Sequence, residues 1–490
     1  MSKMGGQPSL PEFSRALHEI WSSPIKRAAR DKDLPLTYFQ ELLLEKLWLN
    51  RAERSNLGNC FRLTGFLNYA ALEQAMGEVA RRHEVVRTRF DVVEGKPRQI
   101  IAADVTPELT IVDLNGIPDD LIVDHVAQAL RRPFAFTSQM LWRIVLLRLN
   151  DNKHILVVAV DHLITDAWSL DLLLRELFTL FLTYSTGLPS PLADSPIQLA
   201  DFANWQRETI RGRTLEGLIS FWDRKLQGMG VLPELHLPNE NPVPRTSSYQ
   251  PYATQQLRLT PSLSDGLDEL SRERKVTLPI LLMAAIVALL HHYTGRSDIG
   301  IRFASAKRHR PETSDVIGWL SDLIVIRVDL SGVRDFSSLL NKVRNTVLEA
   351  FQFQDLPYTM FPGFSSIADD VFHPSLTFNM MPNLGLWARD QLAGGCNTTL
   401  QIDPVTLPSG PVTREPGMAL LAAVVRGELE FALKYEIQRY ELAVIVELLD
   451  NLRIILQEIV SNPAVELATL RDKIKVTGNA TPQALQHTLK

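Results

Sequence analysis

The chain has 490 residues, of which 45% are hydrophobic and 22% charged, and its formal net charge is −5. This length predicts more than one hydrophobic core, and the charge argues against nucleic-acid binding and against a polybasic membrane anchor. Cys60 and Cys396 are far apart and lack metal-ligand spacing, so no metal site and a reducing, cytoplasmic location are expected. No apolar run is long enough to cross a bilayer.

Residues 1–33 mix Gly, Pro and a helical pattern, and they predict an amino-terminal extension. From residue 34 onward, helix and strand patterns alternate. Helices are predicted from Thr37 onward and at Tyr69–Arg82, Ile122–Leu130 and around Asp201–Arg211; strands are predicted at Phe61–Phe66, Arg87–Val93, Thr110–Leu114, Leu141–Leu149 and Ile155–Val160. This rhythm is typical of a mixed α/β layer.

A proline-rich stretch at 237–251 is the best candidate for a linker, and the pattern restarts after it. Helices are predicted at Pro261–Arg274, Pro279–Tyr293, Phe336–Gln352 and Tyr440–Val460; strands are predicted at Ala253–Leu259, Asp298–Phe303, Leu323–Val328, His373–Met380, Ala419–Val425 and Leu429–Tyr435. The polar residues at 477–490 predict a frayed tail.

The stretch from His154 to Phe181 joins a buried strand to an apolar helix through a polar step. His162 in this step is a candidate general base, because a neutral imidazole can accept a proton near neutral pH. The alternative is a loop histidine that hydrogen-bonds to the backbone. Asp166 is interpreted as a helix cap or ion-pair partner rather than a catalytic carboxylate, and Asp161 either orients His162 or faces away from it.

Other motifs give weaker indications. The basic loop Lys307–Arg310 either contacts a phosphate or is a solvated loop with one arginine turned inward. His291 and His292 at the end of an apolar helix are interpreted as partners of the helix dipole rather than as metal ligands. The sequence contains no GxSxG, P-loop, HExxH or post-strand GxGxxG motif, and no Ser or Cys nucleophile with a partner base is apparent.

Six segments together resemble the motifs of the condensation domains of nonribosomal peptide synthetases, in the family's order. Leu36–Gln40 with Leu47–Leu49 resembles SxAQxRLWxL, Arg82–Phe90 resembles RHExLRTxF, Asp161–Ala167 resembles HHxxxDG, Ala200–Glu208 resembles YxDYAxWQRE, Ile317–Asp322 resembles IGxFVNT and Phe353–Tyr358 resembles HQDxPFE. One such motif would be weak, whereas six in order are a specific signal.

The resemblance implies an α/β fold of two chloramphenicol-acetyltransferase-like lobes in a V arrangement, with the active site in a tunnel between them. We expect the lobes at 34–205 and 206–476. By position, His162 matches the catalytic second histidine of the motif, and Asp166 matches an aspartate that an arginine, here Arg308, holds structurally. Asp161 replaces the motif's first histidine and Ala167 replaces its glycine. Further residues expected in the tunnel or motif loops are Ala167, Trp168, Ser169, Ser321 and Asp322.

The resemblance also implies a reaction. An acyl group would pass from a carrier-protein-bound phosphopantetheine thioester to an amine or hydroxyl, forming an amide or ester in nonribosomal peptide or hybrid polyketide biosynthesis. The expected partners are an acyl or peptidyl carrier protein as donor and a carrier-bound or free small-molecule acceptor. No permanently bound cofactor, nucleic acid or membrane is expected, and the protein is expected to be a monomer.

Two alternatives stay open. The first is an acyl-CoA-dependent O- or N-acyltransferase, which is less favoured because the DFGWG segment of the plant-type enzymes is missing. The second is a catalytically degenerate module that binds carrier proteins, which the departures at Asp161 and Ala167 suggest. A freestanding enzyme would act in trans, whereas an excised domain would have its partners on the same polypeptide.

Overall fold

The computed structural model describes residues 17–31, 33–48, 56–135, 137, 140–229, 237, 252–361, 376–381, 400–405 and 418–474. Several predictions lie partly or wholly outside these residues: the first half of the amino-terminal extension, nearly all of the linker at 237–251, residues 373–375 of the strand predicted at His373–Met380, and the polar tail at 477–490. The described residues form a mixed α/β fold, as the sequence predicts.

The first half of the chain contains most of the predicted elements and adds two that the patterns did not indicate, a strand and a helix. Its elements are α1 (Tyr38–Trp48), β1 (Asn56–Thr64), α2 (Tyr69–Arg82), β2 (Thr88–Val93), β3 (Lys96–Ile101), β4 (Leu109–Asp113), α3 (Asp119–Arg131), β5 (Trp142–Asn150), β6 (Lys153–Asp161), α4 (Ala167–Ser185), α5 (Leu199–Thr209) and α6 (Gly212–Leu226). The additions are β3 and α6. β2 and β3 pair as a separate hairpin.

The second half repeats the alternation of strands and helices. Its elements are β7 (Tyr252–Arg258), α7 (Pro261–Glu273), α8 (Leu278–Thr294), β8 (Asp298–Ser305), β9 (Asp322–Asp329), α9 (Phe336–Gln352), β10 (Leu376–Met380), β11 (Gln401–Pro404), β12 (Met418–Val425), β13 (Glu428–Glu436), α10 (Leu442–Ser461) and α11 (Leu467–Lys473). The predictions did not include β11 or α11.

The first sheet has the strand order β11-β1-β6-β5-β4, and β6 lies at its centre. Alternate residues of β6 point to opposite faces of the sheet. Leu156 and Val158 pack in the main core, whereas Ile155 and Val157 join a smaller cluster with Ile122 of α3. Because both faces of the sheet are covered here, Ile155–Val160 is an unbroken apolar run. His162 follows directly after the end of this strand.

The second sheet has the order β7-β13-β12-β10-β8-β9. α8 is buried from Ile280 to Leu290, which explains its nearly all-apolar sequence. Among the described residues, no single helix is long and apolar enough to span a membrane; α7 and α8 meet that test only as a pair, which is bent by 105°.

One strand of the second half belongs to the first sheet. β11 pairs antiparallel with β1, with Leu63 opposite Ile402. The predicted lobe boundary between residues 205 and 206 falls inside α5. The two halves of the sequence are therefore linked by main-chain hydrogen bonds within one sheet.

The described part of the amino-terminal extension, residues 17–31, packs between the two halves, and we call it the amino-terminal segment. The carbonyl of Ser23 accepts hydrogen bonds from Trp205 Nε1 at 3.0 Å and from Arg310 Nη1 at 3.1 Å. Arg30 forms ion pairs with Glu84 and Asp201. This segment therefore contacts α5 and the basic loop that follows β8.

Candidate active site

The polar step after β6 is a tight turn whose backbone is fixed at two points. Asp161 ends β6, and its Oδ1 accepts the N–H of Leu163 at 2.9 Å, which caps a 3-10 helix at His162–Ile164. Gln40 Nε2 of α1 donates to the Leu163 carbonyl at 3.0 Å. Asp161 thus stabilises the backbone turn that carries His162. A carboxylate at the position of the motif's first histidine can fill this structural role.

The His162 ring is half-buried and lies on an aromatic side chain from the second half of the chain. Its centroid is 3.8 Å from that of Trp319, with an angle of 30° between the rings. The Trp319 ring also contacts Phe39 of α1, at a centroid distance of 4.3 Å. The imidazole therefore sits at a junction between the two halves, with its ring plane set by packing.

Asp166 caps α4 and is also the centre of a buried polar cluster. Its Oδ1 accepts the N–H of Ser169 at 2.8 Å, and its Oδ2 accepts those of Leu320 and Ser321 at 3.1 and 2.9 Å. Arg308 Nη1 lies 3.2 Å from Oδ2. The ion pair that the resemblance implies is therefore present, with both side chains at most 3% exposed.

The environment of Asp166 favours its charged form. Burial by itself would raise the pKa of this carboxyl, but Arg308 and the N–H groups of Ser169 and Ser321 hold the pKa below its ordinary value. A carboxylate that stays ionised while it accepts several hydrogen bonds suits a structural role better than proton transfer. This arrangement agrees with the interpretation of Asp166 as a cap and ion-pair partner.

Arg308 and Ser169 join α4 to the loop before β9. Arg308 Nη2 donates to Ser169 Oγ at 2.7 Å and to the Val316 carbonyl at 3.2 Å. Ser169 Oγ donates to the Gly318 carbonyl at 2.7 Å and accepts the Gly318 N–H at 3.0 Å. A Cβ atom at Gly318 would lie only 2.6 Å from a methyl carbon of Leu199, so the position excludes larger residues.

The remaining predicted motif-loop residues lie around this cluster. Trp168 is 38% exposed, and its Nε1 donates to the Ser314 carbonyl at 3.2 Å. Ala167 begins α4 and is not among the residues with positive φ, so alanine fits here without backbone strain. Asp322 accepts hydrogen bonds from Lys307 Nζ at 2.8 Å and from the N–H of Tyr358 at 3.0 Å. Their assignment to a tunnel stays a prediction.

The interpretation of Lys307–Arg310 as a solvated loop is wrong, because the loop is internal, but its predicted inward arginine is present as Arg308, which pairs with Asp166. Lys307 and Arg310 are 3% and 5% exposed, and Arg310 lies over the Trp205 ring at 4.5 Å. His309 lies 3.4 Å from the buried carboxyl of Asp355. Burial by itself would raise the pKa of Asp355, but the contact with His309 lowers it. The loop's cations are therefore paired with protein groups from several elements.

Another motif segment forms buried contacts with α4. Arg82 and His83 both contact Glu176 of α4, each at 2.8 Å. Burial opposes ionisation of Glu176, but these two partners lower its pKa to about 2.

Burial raises the pKa of the Cys60 thiol to about 12, so Cys60 is protonated at neutral pH and is a poor nucleophile.

Sequence reasoning missed three residues near His162. Trp319 contacts the ring, Gln40 contacts its turn and Phe39 contacts Trp319, although none of the three was named as a site residue. All three stand inside segments that carry the family resemblance. That placement is the signal that could have identified them, since a motif segment brings its neighbours to the site as well.

The comparisons with known proteins agree with these features. The model of the family described as "Condensation domain" matches residues 30–473. The chain belongs to the condensation-domain family. It is 31% identical over 446 residues to a subunit of the linear gramicidin synthase of Brevibacillus parabrevis, covering 90% of this chain and 9% of that protein. It is 34% identical over 345 residues to phosphinothricin tripeptide synthetase PhsC of Streptomyces viridochromogenes, covering 68% and 31%. The chain therefore spans less than a third of the length of either relative.

Solved structures share the fold. The X-domain from teicoplanin biosynthesis matches with a TM-score of 0.76 and 24% identity, covering 91% of this chain and 99% of that one. The first condensation domain of the calcium-dependent antibiotic synthetase, in complex with a substrate analogue, matches with a TM-score of 0.70 and 17% identity over 91% and 99%. At these identities the matches establish the architecture, that of a nonribosomal peptide synthetase condensation domain.

Proposed function

We propose that this condensation domain transfers an acyl group from a phosphopantetheine thioester on a carrier protein to an amine or hydroxyl acceptor. The product is an amide or ester in nonribosomal peptide or hybrid polyketide biosynthesis. The family membership and the naming of relatives as synthases and synthetases support the reaction class. The pantetheine arms would reach the site through a tunnel between two lobes in a V arrangement.

The observation that carries the proposal is the placement of His162. Its half-buried ring lies at the end of a buried strand, between the two halves, on a backbone that Asp161 and Gln40 fix. Asp166 and Arg308 hold the adjoining loop from the second half. A rigid imidazole at such a junction is suited to manage a proton between two reactants that arrive separately.

The proposed reaction is a direct acyl transfer. The acceptor nitrogen or oxygen attacks the thioester carbonyl, and His162 accepts its proton as the tetrahedral species forms. The carbon–sulfur bond then breaks, and the pantetheine thiolate leaves and regains a proton. No acyl-enzyme forms, so a trapped acyl adduct on His162 or on a cysteine would rule the mechanism out.

The experiment is intact-mass analysis of carrier proteins loaded with acetyl, fatty acyl or aminoacyl groups, incubated with the protein and with amine or alcohol acceptors. Product should form with the wild type and fall at least ~10²-fold with His162→Ala, the usual contribution of general base catalysis. His18→Ala, at an exposed histidine, is the matched control and should keep full activity.

Each rival has its own outcome. Product from acyl-CoA but not from loaded carriers would favour the CoA-dependent acyltransferase. Normal carrier binding by His162→Ala with unchanged product formation would show that His162 is not catalytic. Carrier binding by the wild type without product for any donor or acceptor would favour the binding module.

A further inference from the structure

We propose that Trp319 is a positioning residue for His162, and that the Asp166–Arg308 pair acts on the imidazole through it. The catalytic part of this inference rests on the proposed function. The contact between the rings can be tested without any substrate. The two parts can therefore fail separately.

The first step is the contact itself. A centroid distance of 3.8 Å with a 30° tilt places the imidazole against the face of the indole rather than at its edge. Stacking restricts rotation of the imidazole, so the indole face fixes the direction in which the two ring nitrogens point.

The second step is that Trp319 is itself held on both sides along the chain. Before it, Gly318 exchanges two hydrogen bonds with Ser169 Oγ, at 2.7 and 3.0 Å. After it, Leu320 donates its N–H to Asp166 Oδ2 at 3.1 Å. The indole is thus mounted on a backbone segment whose anchors are the buried groups at the start of α4.

The third step is support from α1. Phe39 contacts the indole, and the next residue, Gln40, donates to the carbonyl of Leu163 beside His162. Two successive residues of one helix therefore support both partners of the stack. The half-buried rings of Phe39, Trp319 and His162 form one unit with contributions from both halves of the chain.

The ring contact predicts a spectroscopic signature. In protein labelled with ¹³C at histidine Cε1, the His162 Cε1–H signal, assigned by its loss in His162→Ala, should be shifted upfield by the indole ring current. Trp319→Leu should move it downfield, whereas Trp319→Phe should retain part of the upfield shift. Trp21→Leu, at a 53% exposed tryptophan, is the matched control and should leave the signal in place. An unmoved signal in Trp319→Leu would overturn the proposal.

The role of the ion pair is tested by combining substitutions. Asp166→Asn should shift the His162 signal, because it weakens the anchor of Leu320 and so moves the indole. In the Trp319→Leu background the same substitution should add little. If the two shifts simply add, Asp166 acts independently of Trp319, and that part of the proposal is wrong.

Kinetics with the carrier and acceptor pair found active above test the catalytic part. Trp319→Leu should lower kcat ~10²-fold with little change in KM, the scale expected when a reacting group is misplaced. Trp319→Phe should restore most of the rate. Unchanged kcat in a folded Trp319→Leu variant whose His162 signal has moved would show that the stack does not position the imidazole for reaction. Full activity of His162→Ala would instead overturn the catalytic role of His162 in the proposed function and leave the ring contact standing.

Discussion

Removal of the Arg308 side chain should destabilise the protein strongly, because it leaves a buried carboxylate without its counter-ion. The two side chains are 3% and 2% exposed, so solvent screens their attraction little. Breaking such a pair from one side typically costs 3–5 kcal/mol. Asp166 keeps three N–H donors in the variant, so we expect Arg308→Ala to cost about 3 kcal/mol, at the lower end.

The loss should depend on pH in a defined direction. The folded state lowers the pKa of Asp166, so its contribution to stability is present above the unfolded pKa of ~3.9 and disappears as the pH falls through the folded value. In Arg308→Ala the carboxyl can be protonated at higher pH, which removes the unpaired charge. The difference between variant and wild type should therefore be largest near neutral pH and shrink towards pH ~4.

Urea unfolding followed by circular dichroism measures this difference at several pH values. Arg272→Ala, which removes an exposed partner of Asp268, is the matched control and should leave the midpoint unchanged. An Asp166→Asn/Arg308→Ala double variant should be more stable than the sum of its single variants predicts. A loss below about 1 kcal/mol, equal at pH 7 and pH 4, would refute the reasoning.

Two further predictions concern the contacts of Glu176 and of the amino-terminal segment. Glu176→Gln should lower the free energy of unfolding by about 2–3 kcal/mol at pH 7, because Arg82 and His83 lose the negative charge between them. The difference from the wild type should vanish as the pH falls from ~4.3 towards 2, where Glu176 becomes protonated. A pH-independent difference in urea unfolding would contradict this prediction. Arg310→Ala should release the amino-terminal segment by removing the bond to the Ser23 carbonyl, and trypsin should then cut within residues 17–31 faster than in the wild type. Equal cleavage rates would argue against that role of Arg310.

Elements with clear boundary signals could be predicted from the sequence. The predicted bounds of α2 and α9 match the structure to the residue, because Asn68 and Asp335 cap amphipathic segments. α6 was missed because it begins at Gly212 without a side-chain cap. β3 was missed because its Pro97 and the preceding Glu94–Gly95 turn are typical of the end of a strand.

Those parts of the site that a local pattern or the family resemblance indicated could be predicted from the sequence. The local sequence placed His162 after a buried strand and Asp166 at a helix start, and the resemblance paired Asp166 with Arg308. Local patterns could not place Trp319 on His162, because that contact depends on how the two halves pack together. The burial of Lys307 was missed for the same reason, since its partner Asp322 begins another strand.

The pairing of β11 with β1 has a consequence for synthesis of the protein on the ribosome. The edge of β1 stays open until residue 405 has been made, although β1 and β6 can pair much earlier. An open strand edge is a template for pairing with other chains. Fragments that stop before β11 should therefore aggregate more readily than the whole chain, and supplying residues 400–405 as a separate peptide should protect them.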